Sequence, residues 1–156
     1  MAKRIISSVE DFLNIKGQVL GQSDWICVTE ELIKKFADVT DDHQWIHVDL
    51  DRVGNESPFG CIVSHGYLTL SLLPRLLNDI LDVKNLDYYI NYSIEKMVYH
   101  KPVKVNDRLK LVAILKNAKD LGDVCQATIQ CSFYTESENE PVLEGSIIFL
   151  YYFKVS

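Results

Sequence analysis

Residues 64–81 read SHGYLTLSLLPRLLNDIL and contain no Lys, Arg, Asp or Glu before Arg75. Apolar side chains fill the stretch at Leu68, Leu70, Leu72, Leu73, Leu76, Leu77, Ile80 and Leu81. A helix that is apolar around most of its circumference should be buried on most sides. Pro74 removes one intrahelical hydrogen bond, so we expect the helix to kink there. The stretch predicts a long buried helix at the centre of the fold.

The chain after this helix has the alternation of β-strands. Apolar and aromatic residues alternate in four segments: YYINYSIEKMVYH, DRLKLVAILK, DVCQATIQCSFYT and PVLEGSIIFLYYFKV. The turn signals NDR, KDLGD and ESENEP separate them by short links, which is typical of an antiparallel meander. We therefore predict an α+β fold in which one antiparallel sheet wraps round the long helix.

Two shorter helices are predicted near the start of the chain. Ser8 is placed to cap the first, which should end by Gly17. Thr29 is placed to cap the second, TEELIKKFADVT, whose apolar residues Leu32, Ile33, Phe36 and Ala37 share one face. No linker or repeat divides the 156 residues, so we expect a single domain spanning residues 1–156.

Composition excludes several classes of function. The net charge is −6 and no Lys/Arg-rich run occurs, which argues against a nucleic acid or an anionic membrane as partner. No apolar run reaches the roughly 18 residues that span a bilayer, and no secretory signal is evident. The four cysteines form no C-x-x-C pair, and Cys125 and Cys131 are expected to be small buried residues. We expect a cytoplasmic protein.

The stretch TDDHQWIHVD, residues 40–49, concentrates acids and histidines in a chain with four histidines altogether. His43 and His47 have the spacing of a zinc helix, but the glutamate that follows the first histidine of an H-E-x-x-H motif is missing. A calcium loop starting at Asp49 would have Gly60 at its twelfth position, where a bidentate glutamate is required. No nucleotide-binding or serine-hydrolase motif occurs elsewhere. We therefore expect no metal in this site.

An acid–base site fits the same stretch better. Asp42 and His47 would lie about 140° apart on a regular helix, so only a loop or a broken turn lets their side chains converge. A carboxylate beside an imidazole supplies an acid and a base near neutral pH, and Trp45 between them can form an apolar wall. The alternative is a solvated acidic loop with one packed histidine.

Gly66 follows His65 at the start of the predicted buried helix. Backbone N–H groups at a helix start have no intrahelical partner and can polarise a carbonyl group. Glycine also lets a substrate approach the backbone closely. The alternative is that Gly66 only permits tight packing of helix against sheet, and the residues alone leave both possibilities open.

Taken together, FADVTDDHQWIHVD and FGCIVSHGYLTLSLLP resemble the signature of the MaoC-like (R)-specific enoyl-CoA hydratase family, or hydratase 2. The resemblance covers roughly residues 27–155 and is closest to the nodulation protein N-like branch, which carries H-Q-W-I-H and L-T-L-S-L-L-P. It implies a hot-dog fold, a homodimer, and reversible addition of water to trans-2-enoyl-CoA, giving (R)-3-hydroxyacyl-CoA. The implied partner is an acyl-CoA or acyl-ACP substrate, with no cofactor. The resemblance leaves open a 3-hydroxyacyl-ACP dehydratase, a hot-dog thioesterase or a non-catalytic acyl-thioester-binding protein.

The resemblance also implies roles for individual residues. Asp42 and His47 match the catalytic aspartate and histidine, and Gly66 matches the glycine whose N–H binds the thioester carbonyl. Asp41 stands where the family often has glycine. His43 is expected to face solvent, and His65 to have a structural hydrogen-bonding role. The residues expected to bind substrate are Trp45, Gln44, His65 and Phe59, of which Gln44 and Trp45 replace the family's usual Asn and Pro.

Overall fold

The structure, a computed structural model, describes residues 3–154. Its helices are α1 (Val9–Asn14), α2 (Glu30–Thr40), α3 (Trp45–Val48), α4 (Leu50–Glu56), α5 (Gly66–Ser71) and α6 (Leu73–Ile80). Its strands are β1 (Arg4–Ile6), β2 (Val19–Gln22), β3 (Ile26–Cys27), β4 (Leu81–Val83), β5 (Leu86–Tyr99), β6 (Arg108–Asp120), β7 (Val124–Thr135) and β8 (Leu143–Phe153). The expected single domain would also include the terminal residues 1, 2, 155 and 156, which lie outside the described part of the chain.

The main sheet is antiparallel and has the strand order β2-β6-β7-β8-β5, with β3 also paired to β6. The antiparallel sheet is therefore confirmed. The meander is confirmed for β6, β7 and β8. The prediction that β5 lies beside β6 in the sheet is wrong, because β5 pairs with β8 at the opposite edge. The parallel pair of β1 and β4 forms a small second sheet that the sequence did not predict.

The link between β5 and β6, residues 100–107, explains this order. Val103 accepts a hydrogen bond from Ser64 N at 2.7 Å, and Val105 N donates to Ile62 O at 2.9 Å. These bonds hold the link against the segment that precedes α5, so the chain crosses the fold before β6 begins. The same bonds bring the end of β5 beside the start of α5.

The central helix is interrupted at Leu72, where α5 ends and α6 begins. Pro74 lies in the first turn of α6 and has no N–H to donate to the preceding turn, which is the expected effect of proline at this place. The side chains that face the core are buried, namely Leu68, Leu72, Leu73, Leu76, Leu77 and Ile80. One side of the helix remains outside the core, because Tyr67 is 73% exposed and Arg75 faces solvent.

Helix α6 packs against β6, and the inner face that β6 and β7 form is apolar except at Thr135. The residues of this face are fully buried, as their alternation predicted: Leu109, Leu111, Ala113, Leu115, Cys125, Ala127, Ile129, Cys131 and Phe133. Burial raises the pKa of the Cys125 and Cys131 thiols to about 12, so both act as small apolar residues.

The caps of the first two helices are confirmed. Ser8 accepts a hydrogen bond from Asp11 N, and Thr29 accepts one from Leu32 N. The apolar face of α2 is fully buried at Ile33 and Ala37 and partly buried at Leu32 and Phe36. No helix in residues 3–154 is long and apolar enough to cross a membrane.

The contact between α6 and the sheet gives a test of the core. Leu76 is fully buried and Arg75, next to it on the same helix, is exposed. Leu76→Ala should lower the free energy of unfolding by about 2–5 kcal/mol, because it removes buried methyl groups and leaves a cavity. Urea denaturation measures the change, and Arg75→Ala is the control with little expected effect. Equal stability of the two variants would contradict the burial of this helix.

Candidate active site

The end of α2 sets the position of Asp42. Asp41 caps the helix in the left-handed conformation, with φ 56°, and its side chain is 99% exposed. The left-handed conformation explains why the family often has glycine at this position. Aspartate is one of the few other residues that adopt it readily. Asp42 N then donates to Ala37 O at 3.1 Å, closing the helix and turning the chain.

His47 lies on the short helix α3 and is buried. Its Nδ1 lies 2.6 Å from the carbonyl oxygen of Val63, so Nδ1–H donates and Nε2 carries the free lone pair. Burial lowers the pKa of His47 from its ordinary value, and the hydrogen bond to Val63 opposes this shift without cancelling it. The imidazole is therefore kept in its basic, neutral form at neutral pH.

Asp42, His47 and His65 form one cluster. Each has a nitrogen or carboxylate oxygen that lies within 4.8 Å of the other two. The Asp42 side chain is 52% exposed, whereas both histidines are buried. The convergence of Asp42 and His47 that the sequence required is present, because the chain breaks between α2 and α3 instead of continuing as one helix.

The three residues are also of the types that bind metal ions, but the ring geometry disfavours a shared ion. The His47 and His65 rings are stacked, with centroids 3.7 Å apart and planes inclined by 26°. Imidazole lone pairs lie in the plane of the ring, so stacked rings direct them along nearly parallel lines. Asp49, the first residue of the calcium loop considered above, instead caps α4 through its bond from Arg52 N.

Gly66 is the first residue of α5, where its N–H has no intrahelical acceptor. A Cβ built on Gly66 would lie 2.8 Å from Cε1 of Tyr99, closer than real Cβ atoms approach other atoms. The packing explanation for this glycine therefore rests on an observed contact between α5 and β5. The free N–H leaves the carbonyl-binding explanation open beside it.

A cavity of about 380 Å³ lies beside these groups. His47, Gly66 and Phe59 line it, so Phe59 is where a substrate-binding residue would be. Asp42 and His65 lie next to His47 but outside the cavity wall.

Gln44 and Trp45, also expected to bind substrate, do not line this cavity. Gln44 is exposed and its backbone carbonyl accepts a hydrogen bond from His47 N at 2.9 Å. Trp45 is half-buried, and the Arg52 guanidinium lies over its ring at 4.3 Å. Trp45 therefore supports the outer side of α3, and the structure gives no support for it as the wall between Asp42 and His47. His43 is exposed, as expected, and pairs with Asp38.

Three neighbouring residues are among those of the cavity that were not foreseen. Tyr99, His100 and Lys101 end β5 and begin the link to β6. His100 pairs with Glu144 at 3.1 Å, and Lys101 pairs with Glu138. Their only signal in the sequence is an aromatic residue, a histidine and a lysine grouped before Pro102, and no local rule joins that group to α5.

Comparison with known proteins agrees with the two motifs. A family model described as "MaoC like domain" matches residues 11–133. The chain is 39% identical over 149 residues to 3-hydroxyacyl-thioester dehydratase Z of Mycobacterium tuberculosis, covering 95% of this chain and 98% of that protein. It is 35% identical over 143 residues to Nodulation protein N of Rhizobium leguminosarum bv. viciae, covering 90% and 89%.

The fold also has known counterparts. The structure of an R-hydratase from Pseudomonas aeruginosa superposes with a TM-score of 0.72 at 18% identity, covering 89% of this chain and 83% of that one. At this identity the likeness concerns the fold alone. It confirms the expected hot-dog arrangement of an antiparallel sheet around a central helix.

The contact between Gly66 and Tyr99 can be tested by a double-mutant cycle on folding stability. Gly66→Ala should lower the thermal midpoint, because the new Cβ meets the Tyr99 ring. In a Tyr99→Ala background the same substitution should cost much less. Equal costs in the two backgrounds would show that the ring does not determine the need for glycine.

Proposed function

The chain belongs to the family of MaoC-like dehydratase domains, as its motifs predicted, and on this premise we propose that it is an (R)-specific enoyl-CoA hydratase. Family membership makes it a hydro-lyase. The proposed reaction is the reversible addition of water to trans-2-enoyl-CoA, giving (R)-3-hydroxyacyl-CoA. The relative named 3-hydroxyacyl-thioester dehydratase supports this proposal, since dehydration is the same reaction in reverse.

One observation carries the proposal. The Asp42 carboxylate and a ring nitrogen of His47 lie within 4.8 Å of each other, a separation that one bridging water can span. His47 Nε2 is free to accept a proton, because Nδ1 is committed to Val63. A carboxylate and a basic imidazole that share one water form an acid–base pair suited to hydration.

In the hydration direction His47 acts as the base. The water held between Asp42 and His47 gives a proton to Nε2 while its oxygen forms the bond to Cβ of the enoyl group. The π electrons of the Cα–Cβ bond move toward the thioester, whose carbonyl oxygen gains enolate charge. A proton from the dyad then reaches Cα on the same face, which restores both the carbonyl group and neutral His47.

Gly66 supplies the third component. Its N–H at the start of α5 is unpaired within the helix, and Gly66 lines the same cavity as His47. A donor in this position stabilises the charge that develops on the thioester oxygen. In a cavity of this kind Phe59 would contact the acyl group.

Two related activities use the same fold. A dehydratase acting on 3-hydroxyacyl-ACP would employ the same residues with another carrier, and the assay below can be run with both carriers. A thioesterase would release free CoA, which a thiol reagent detects. A non-catalytic acyl-thioester-binding protein would have no need for the pairing of Asp42 with His47.

We further propose that the protein is a homodimer formed through β5. Within the described residues β5 pairs only with β8, and its other edge is open. Its exposed side chains include four large apolar ones at alternate positions, namely Tyr88, Ile90, Tyr92 and Ile94. A groove of about 480 Å³ continues this surface across to Leu70 and Pro74. Exposed apolar edges of this kind mark protein interfaces.

The proposed reaction is acid–base chemistry and uses no metal or redox cofactor. We propose that the protein is cytoplasmic. The four cysteines are free, and Cys27 is exposed, which is compatible with a reducing compartment.

The dyad is tested by hydration of crotonyl-CoA, followed through loss of the enoyl absorbance. Asp42→Asn and His47→Gln should each lower kcat by about 10²–10⁴-fold, because each removes a proton-transfer group. The neighbouring residues provide matched controls, since Asp41 and His43 are exposed. Asp41→Asn and His43→Gln should retain wild-type rates. Absence of activity in the wild type over several chain lengths would contradict the proposal.

The pH profile gives a second test. The pKa of His47 is lowered by burial, so the imidazole stays neutral and active at a pH where an ordinary histidine, with a pKa of about 6.5, is half protonated. Activity is lost as the pH falls through the lowered pKa. The acid limb of kcat/KM should therefore have its midpoint below about 6.5. A midpoint above that value would contradict the assignment of His47 as the base.

The dimer is tested by a charge placed on β5. Ile90→Asp should shift the mass in solution from dimer to monomer, because a carboxylate would be buried between the two chains. Light scattering after size-exclusion chromatography measures the mass. Val39→Asp is the control, since Val39 is exposed on α2. A wild-type protein that is already monomeric would contradict the proposal.

A further inference from the structure

His65 touches all three parts of the proposed catalytic site, although it lines no part of the cavity. Its Nε2 lies 2.9 Å from the backbone oxygen of Asp42. Its ring is stacked on that of His47, with centroids 3.7 Å apart. It is also the residue that precedes Gly66, at the N-cap of α5. The side chain is 2% exposed, so these contacts are formed within the protein interior.

We propose that His65 is a positioning residue that fixes the catalytic aspartate, the catalytic histidine and the carbonyl-binding glycine relative to one another. The inference rests on the proposed hydratase function and assigns to His65 a part in the rate of the reaction. It acts through the atoms of its neighbours, without contacting the substrate.

The hydrogen bond from Nε2 determines how the end of α2 is held. A carbonyl oxygen only accepts, so the proton is on Nε2 of His65 and the donor is the histidine. The bond joins the backbone at Asp42 to His65, the residue that precedes α5. Without it, the turn after Asp41 would have the bond from Asp42 N to Ala37 O as its remaining backbone anchor, and the position of the carboxylate would loosen.

The other ring nitrogen supports the same tautomer. Nδ1 of His65 is buried and has no hydrogen-bond partner among the described residues. A proton on Nδ1 would be a buried donor without an acceptor, which is costly, whereas a bare lone pair costs less. Of the two tautomers, the one with the proton on Nε2 is therefore favoured by these surroundings.

The ring stack determines how His47 is oriented. The bond from His47 Nδ1 to Val63 fixes one edge of the ring but leaves it free to tilt about that bond. The face of His65 blocks this tilt. His65 is itself supported by the ring of Phe36, at a centroid distance of 5.1 Å. The lone pair of His47 Nε2 is thus held in one direction, toward the proposed site of the water.

Two substitutions separate these contributions. His65→Phe keeps an aromatic ring for the stack but removes the donor to Asp42. His65→Gln keeps an N–H donor but removes the stack. Each should lower kcat for crotonyl-CoA by roughly 10–10²-fold, since small misplacements of reacting groups have effects of this size. KM should change by less than about twofold, because His65 does not line the cavity.

The control is His43→Gln, a histidine that faces solvent and should leave kcat unchanged. The thermal midpoint is measured for each variant, so that loss of folded protein is separated from loss of rate. Wild-type kcat in both His65 variants would overturn the inference. A rise in KM that equals the fall in kcat would also overturn it, since that pattern indicates direct substrate contact.

A measurement on the unmodified protein covers the case in which the variants fail to fold. Nitrogen NMR of labelled histidines distinguishes the two tautomers of a neutral ring. Near pH 7, His65 should carry its proton on Nε2 and His47 on Nδ1. A proton on His65 Nδ1 would overturn the inference, because the bond to Asp42 would then be absent.

The two proposals fail separately. If wild-type protein does not hydrate crotonyl-CoA, the hydratase proposal is wrong, and the tautomer measurement still decides whether His65 holds Asp42. If the wild type is active and both His65 variants match it, the hydratase proposal remains and the positioning role is wrong.

Discussion

The hydrogen bond from His47 Nδ1 to the carbonyl oxygen of Val63 joins the two segments on which the site depends. At 2.6 Å it links α3 to the strand-like segment before α5, and Val63 N returns a bond to Ile46 O at 3.2 Å. The bond places the imidazole beside the start of the central helix. It also selects the tautomer, so that the remaining nitrogen is basic. The position and the chemistry of His47 therefore have one cause.

The rest of the fold keeps this bond in place. The leucines of α6 are buried in the core and the helix packs against β6, which anchors the central helix, and α5 extends from it back to Gly66. The link that carries Val103 and Val105 holds the segment before α5 from the other side. A polar cluster on exposed loops would be mobile, whereas here His47 is bonded to the buried Val63 and the backbone of Asp42 to the buried His65.

Local patterns were sufficient to predict much of this. Alternation identified the buried faces of β6 and β7, and the caps at Ser8 and Thr29 followed from residue type and spacing. The need for a break between Asp42 and His47 also followed from helix geometry. In the structure Asp41 provides it by adopting a left-handed conformation, which no sequence pattern required.

The features that were not predicted depend on contacts between distant parts of the chain. The pairing of β5 with β8 depends on where the link between β5 and β6 is held. Tyr99 meets Gly66 only because that link brings β5 to the start of α5. Trp45 was expected between Asp42 and His47, but the short turn of α3 directs it toward Arg52 instead. Trp45 is thus between Asp42 and His47 in the sequence but packs against Arg52 in the fold.

The central claim is that Asp42 and His47 direct one water molecule to one face of an enoyl thioester. Hydration of crotonyl-CoA in heavy water, with the product analysed by NMR and by a stereospecific dehydrogenase, tests it most directly. The account predicts (R)-3-hydroxybutyryl-CoA with a single deuterium at Cα on the same face as the new hydroxyl group. An (S) product, or deuterium distributed over both faces of Cα, would contradict it.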